Sequence, residues 1–562
     1  MANKIYDYLK QIYPPQVADE TLTRLQALIA DYRERIDAES VDEPFSQRDV
    51  VLITYGDTFY AADEKPLETL NRFAVERLAG VVSTIHILPF YPYSSDDGFS
   101  VKDFYAVNPA LGDWDDIERI AQSFALMFDG VFNHMSAQSD WFRRFLAGEP
   151  DYAKLFYTAS PDMDLSEVTR PRALPLLTPF TRPDGETLHV WTTFSPDQVD
   201  FDISEPSTLL RLIDILLFYA TKGADVVRLD AICFLWKEPG TNSIHRPQTH
   251  AAVRLMRAVL NAIAPQVILI TETNVPHAEN ISYFGDGTDE AQMVYNFTLP
   301  PLLFHTMLTG NTGKLREWIN QLETPSARTT FFNFTASHDG IGVRPVEGIL
   351  SADELSAMVA HVEARGGRVS YKRNPDGSQS PYELNCTYVD AVTDPAEPEA
   401  LQVQRFITSQ AIAMSLAGVP AVYVHSLLGS HNDIEGMEAS GHNRTINRAK
   451  LELASIDAAL NDGDSFRAQV FRRYVDLLAE RRSLSAFHPN AAQKAIDTGN
   501  DALLAILRTA PDQQLLALFN VSGETQTADI SAITSGGRDI LRDEPTGATV
   551  ALAPYDFAWI VF

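Results

Sequence analysis

Arg228-Leu229-Asp230 sets an arginine and an aspartate two residues apart inside an otherwise apolar run, residues 224–234. If that run is a strand, both side chains leave the same face. Buried charges are costly unless paired, so the two need a reason to be there. One reason is a structural ion pair. The other is chemical: a carboxylate held ionised by its arginine and used as a nucleophile. Three more signals follow apolar runs in the same way: Asp129-Gly-Val-Phe-Asn133-His134, Ile270-Thr-Glu272 and Ser337-His338-Asp339. Each alone is weak. Jointly they bring three carboxylates and two histidines toward one rim, where they would repel unless a site used them.

The elements that must hold these residues alternate. Strand-like runs occupy 49–55, 81–88, 126–132, 226–229, 267–271, 292–297, 329–335 and 419–424, and helical patterns fall at 67–78, 114–124, 208–222, 249–263 and 401–416. Alternating strand and helix over about 400 residues predicts a closed (β/α)8 TIM barrel, whose chemistry sits at the carboxyl ends of its strands. Residues 1–45 predict a charged helical leader, and 46–489 the barrel. Two insertions interrupt the barrel, 135–202 and 340–390, the second rich in Gly, Ser and Asn and too long for an ordinary loop. From residue 490 to 562 short alternating strands predict a small C-terminal β-domain.

Composition excludes several partners. The 562 residues carry 45 basic and 75 acidic side chains, a net charge of −30 that argues against nucleic acid or an anionic membrane. Residues 1–13 have no signal-peptide core and no run of about 18 apolar residues occurs, so a soluble cytoplasmic protein is expected. The two cysteines, Cys233 and Cys386, form neither a disulfide framework nor a zinc site and are expected to pack as small apolar groups. No metal or cofactor is expected.

The four motifs, in this order, resemble those of the α-amylase superfamily of retaining α-glucoside enzymes, over nearly all of residues 46–562. The resemblance implies that Asp230 is the nucleophile, Glu272 the general acid/base and Asp339 a third carboxylate gripping sugar hydroxyls. It implies that Arg228 keeps Asp230 charged and that His134 and His338 bind hydroxyls of the same sugar. A retaining enzyme needs its two carboxyl groups about 5–5.5 Å apart. Neighbouring barrel strands about 4.8 Å apart can deliver that.

A finer similarity is to the sucrose phosphorylase subfamily, carried by His86-Ile-Leu-Pro-Phe-Tyr, Asp96-Asp-Gly-Phe99, Thr169-Arg-Pro-Arg172, Phe194-Ser-Pro-Asp-Gln198, His338-Asp-Gly-Ile-Gly and Asn443-Arg444. It implies that Asp96 and Arg444 pair to close the glucose subsite, that Phe99 and Phe194 form aromatic walls, that Gln198 contacts the sugar, and that Arg172 binds phosphate. Inorganic phosphate is then a co-substrate. Asn274 and Phe234 replace a histidine and a tyrosine common in sucrose-cleaving members. With the leader and Pro381-Tyr382-Glu383-Leu-Asn385, they look more like the glucosylglycerate phosphorylase branch. Tyr382 and Glu383 are thereby drawn to the acceptor side, where Lys372 and Arg373 are candidates to pair with a glycerate carboxylate. The expected partners are a small glucoside and phosphate, with a homodimer as candidate assembly. Glucosylglycerol, sucrose or its 6-phosphate are alternative substrates, and an α-glucosidase or a non-catalytic binding relative are alternative functions.

Overall fold

The computed structural model describes residues 2–172, 174–374 and 378–562, without the side chains of Ala2 and Arg373. Eight parallel strands close into a barrel in sequence order: β1 Val51–Thr54, β2 Thr84–Ile87, β3 Ala125–Gly130, β4 Ala224–Leu229, β5 Ile268–Thr271, β6 Met293–Tyr295, β7 Thr330–Phe334 and β8 Val419–Tyr423. β8 pairs back onto β1 through Val51 and Ala421. Most strand residues are buried, as parallel strands covered by helices on the outside must be. The expected barrel is therefore present, each strand overlapping its expected run.

Helices start earlier than their apolar pattern suggested, and at prolines: Pro66–Leu78, Pro206–Thr221 and Pro247–Ile263. Proline in the first turn lacks only an N–H that has no helical partner there, and its fixed φ suits the helix. The leader forms two helices, Ala2–Ile12 and Pro15–Arg33, packed on the barrel's outer helices. Tyr13 donates its hydroxyl to the Ile203 carbonyl at 2.7 Å, and Tyr32 to Asp214 at 2.9 Å.

The insertions hold more regular structure than their composition suggested. After β3, His134–Ser136 pairs antiparallel with Gln198–Asp200, and Leu177–Thr181 forms a hairpin with Thr187–Trp191. After β7, Ile341–Gly342, Gln379–Asn385 and Arg368–Arg373 form a three-stranded sheet backed by the helix Ala352–Ala364. Residues 368–372 and 379–382 are partly or fully exposed, and their pairing shifts register at Ser370/Tyr371, which removes the two-residue alternation that would have revealed them. At the C-terminus a six-stranded antiparallel sheet begins at Ala492 and ends with Phe557–Val561. It is tied to the barrel where the Trp559 indole donates to the Ser415 hydroxyl at 3.1 Å. Among the described residues no helix is long and apolar enough to cross a membrane.

Candidate active site

The cleft at the carboxyl ends of the strands is organised by Arg228, which is buried at the end of β4. Its Nη1 donates to Asp230 Oδ1 at 2.8 Å and also to Asp129 Oδ1, while Nη2 lies 3.8 Å from Glu272 Oε2. β4 is flanked by β3 and β5, so one guanidinium reaches a carboxylate from each of three adjacent strands. His86 on β2 completes the row, its Nε2 2.8 Å from Asp129 Oδ2. Asp129 stays below the usual carboxylate range because Arg228 and His86 outweigh its burial.

Immediately after Asp230 the backbone of Ala231 is left-handed, φ 48°, a strained conformation for a residue with a Cβ. The turn aims the Ala231 N–H at Glu272 Oε2, 3.1 Å away. Asp230 and Glu272 are thus joined through both Arg228 and the backbone. Burial is the largest influence on each and raises both carboxyls, with nearby carboxylates adding and Arg228 opposing. Like charges in one buried site disfavour each other, so the pair is suited to carrying a single shared proton near neutrality.

Asp339 has the opposite electrostatics. Burial works against its charge, but Arg444 Nη1 at 2.6 Å, His338 and Arg448 outweigh it and hold the carboxyl well below its ordinary range. Burial pushes His338 down to about 3 and His134 down to about 4, so both are neutral imidazoles at pH 7. The His338 ring stacks on Phe99 with centroids 4.9 Å apart, and Phe99 also lies under the Arg228 guanidinium. On the other side Phe194 packs against His134 and edge-on to Phe234. The pairing of His134 with Asp200 and of Ser136 with Gln198 brings the end of the first insertion back beside His134.

Asp96 and Asp97 form a left-handed turn, with φ values of 54° and 48°. Gly98 follows because a Cβ there would meet the Pro89 carbonyl at 2.6 Å. The turn directs Asp96 Oδ2 to Arg172 Nη2 and Gln198 Nε2, each at 3.1 Å. The expected Asp96–Arg444 pair does not form. Arg444 instead forks onto Glu383 through Nε at 3.0 Å and Nη2 at 2.7 Å, leaving Nη1 for Asp339. Glu383 comes from the inserted sheet, so its approach depends on strand register that the sequence did not display.

The cleft holds about 770 Å³ of space, counted together with the solvent at its mouth. It gathers Asp96, Phe99, His134, Arg172, Phe194, Gln198, Asp230, Phe234, Glu272, Asn274, His338, Asp339, Tyr382 and Arg444, all of them expected site residues. Lys372 is not among its lining residues: it is paired at 2.8 Å with Glu347. The register shift after Ser370 changes which face of that strand each side chain takes. The side chain of Arg373 lies outside the described residues. Six lining residues had no assigned role, and of these Arg344 alone carries a charge; the others are Pro171, Ala231, Cys233, Thr273 and Val275. The signal for Arg344 was present, an Arg-Pro step like Arg170-Pro171, five residues after Asp339 in an acidic chain. Both cysteines are buried, and among the described residues no group of His, Cys, Asp and Glu is arranged to hold a metal.

Comparison with known proteins agrees with this architecture. The family model for the α-amylase catalytic domain matches residues 79–343. The chain is 46% identical to a glucosylglycerate phosphorylase of Spirochaeta thermophila over 99% of its own length and 98% of the relative's. It is 45% identical to the glucosylglycerate phosphorylase of Escherichia coli over 100% of both. The crystal structure of sucrose 6F-phosphate phosphorylase from Thermoanaerobacter thermosaccharolyticum superposes with a TM-score of 0.74 at 24% identity, covering 84% of this chain and 94% of that one, which supports the fold. The chain belongs to the α-amylase family.

Proposed function

We propose that this protein is a retaining α-glucoside phosphorylase that moves the glucosyl group of 2-O-α-D-glucosylglycerate to inorganic phosphate, giving α-D-glucose 1-phosphate and glycerate. The observation that carries the activity is the full-length identity of 45–47% to three curated glucosylglycerate phosphorylases. The geometry supplies a mechanism. Arg228 hydrogen-bonds to Asp230 and stands farther from Glu272. For the reaction the shared proton must sit on Glu272, leaving Asp230 as the carboxylate that Arg228 hydrogen-bonds. Asp230 attacks C1 while Glu272 gives its proton to the departing glycerate oxygen, leaving a glucosyl ester on Asp230. Phosphate then attacks C1 from the vacated side, and inversion at each of the two steps retains the α configuration.

The other groups bind. Asp339 and Arg444 grip sugar hydroxyls, and neutral His134 and His338 offer hydrogen bonds without adding charge. Phe99 and Phe194 wall the sugar on two sides. Arg172 uses Nη2 on Asp96, which leaves its remaining donors for phosphate. The test is to supply glucosylglycerate with and without phosphate and follow the products by proton NMR. Phosphate-dependent formation of the α-anomer of glucose 1-phosphate is expected; free glucose at a rate independent of phosphate would make the protein a hydrolase.

A further inference from the structure

Three arginines line the cleft, and two are committed. Arg172 is joined to Asp96, and Arg444 to Glu383 and Asp339. Arg344 is the third. It is half-buried, and among the described residues it makes no ion pair and no side-chain hydrogen bond, its Nε being buried without a partner. The buried Nε lacks an acceptor while Nη1 and Nη2 stay open to the cleft, and in a chain of net charge −30 acidic partners are plentiful. Its freedom is therefore a property of the cleft rather than a shortage of carboxylates.

The inserted sheet fixes where Arg344 stands. Gly342 pairs with Glu383, and the Val343 N–H donates to the Tyr382 carbonyl at 3.1 Å. A Cβ on Gly342 would press into the Asn274 side chain at 2.6 Å, so the segment leading to Arg344 runs directly against Asn274. Asn274 Oδ1 is likewise buried without a partner. Arg344, Asn274 and Tyr382 thus line the cleft beside one another, and of the three only Arg344 carries a charge.

We propose that Arg344 is the anchor for the carboxylate of the acceptor, making the acceptor subsite specific for a hydroxy acid. The planar fork of a guanidinium matches a carboxylate bidentately, and a neutral polyol offers it no charge. An uncharged acceptor would leave the guanidinium unpaired, which turns a contact into discrimination. The inference rests on the glucosylglycerate reading and adds which side chain enforces it.

The experiment measures phosphate release from α-glucose 1-phosphate with glycerate and with glycerol, for the natural protein, Arg344→Gln and Arg344→Lys. The readout is the ratio of kcat/KM for the two acceptors within each variant, so incomplete folding of a variant cancels. Arg344→Gln is expected to lower that ratio on the order of 10- to 100-fold, mostly through the KM for glycerate, with Arg344→Lys in between. An unchanged ratio in Arg344→Gln overturns the proposal. So does a rise in half-saturating phosphate with the ratio intact, which would make Arg344 a phosphate ligand. Failure of the substrate reading shows in the natural protein, as no preference for glycerate, whereas failure of this inference shows only in the variants.

Discussion

Arg172 Nη2 lies 3.1 Å from Asp96 Oδ2, joining a residue of the first insertion to the left-handed turn after β2. Asp96 is held well below its ordinary range by Arg172, Arg444 and Arg448 in spite of its burial. The link closes one side of the cleft before any ligand arrives, and it makes Arg172 answer to two anions, Asp96 and phosphate. Arg172→Lys keeps the charge but loses the fork. Half-saturating phosphate should rise on the order of 10-fold or more, and the ratio of phosphorolysis to hydrolysis should fall. Superimposable phosphate saturation curves for the two proteins would make Arg172 a bystander.

Asp230→Asn should lower turnover on the order of 10³-fold or more while circular dichroism stays that of the natural protein. Asp230 is the carboxylate that Arg228 hydrogen-bonds at the mouth of β4, and an amide neither attacks C1 nor bears the charge. Near-natural activity in a homogeneous sample would remove it as the nucleophile.

Glu272→Gln should slow transfer from glucosylglycerate on the order of 10²–10⁴-fold and transfer from an activated aryl glucoside far less, because only a poor leaving group needs the proton. It should also stabilise the fold. Burial raises the carboxyl of Glu272 in the native state, so its favourable contribution is present at low pH and declines as pH rises past the unfolded value of about 4.3. Glutamine does not titrate, so the stability gain of the variant should be larger at pH 8 than at pH 5. Melting curves at the two pH values decide this, and a gain that shrinks with pH contradicts the assignment.

Acid should weaken the protein through histidines buried neutral. Burial pushes His425 down to about 3, in line with His338 and His134. Each binds a proton when unfolded near pH 6.5 but not when folded until well below that. The unfolded state therefore holds more protons in between, and stability falls as pH drops from 6.5, by about 1.4 kcal/mol per pH unit for each such group. His425, beside Ser430 and outside the cleft, isolates one of them. Urea midpoints at pH 7, 6 and 5 should fall less steeply in His425→Gln; equal slopes would show that His425 is not one of the groups.

What the sequence disclosed follows from locality. β4 and β5 are short apolar runs ending in Asp230 and Glu272, so strand, strand end and charged residue lie within a few positions of each other. The barrel and its expected carboxylates could be read for that reason. Arg444 on Glu383 and Arg172 on Asp96 join residues 61 and 76 positions apart, through two insertions folded back over the barrel. Nothing local encodes such pairs. Lys372 shows the same limit, because one register shift decided which way it faced.

The central claim is transfer between glycerate and phosphate, and one assay meets it directly. The protein is incubated with α-glucose 1-phosphate and, separately, glycerate, glycerol, fructose and water, and released phosphate is followed with time. Rapid release that depends on glycerate, with an α-linked glucosylglycerate as product, is the expected result. Equal release with water alone, or greater release with fructose than with glycerate, would contradict it.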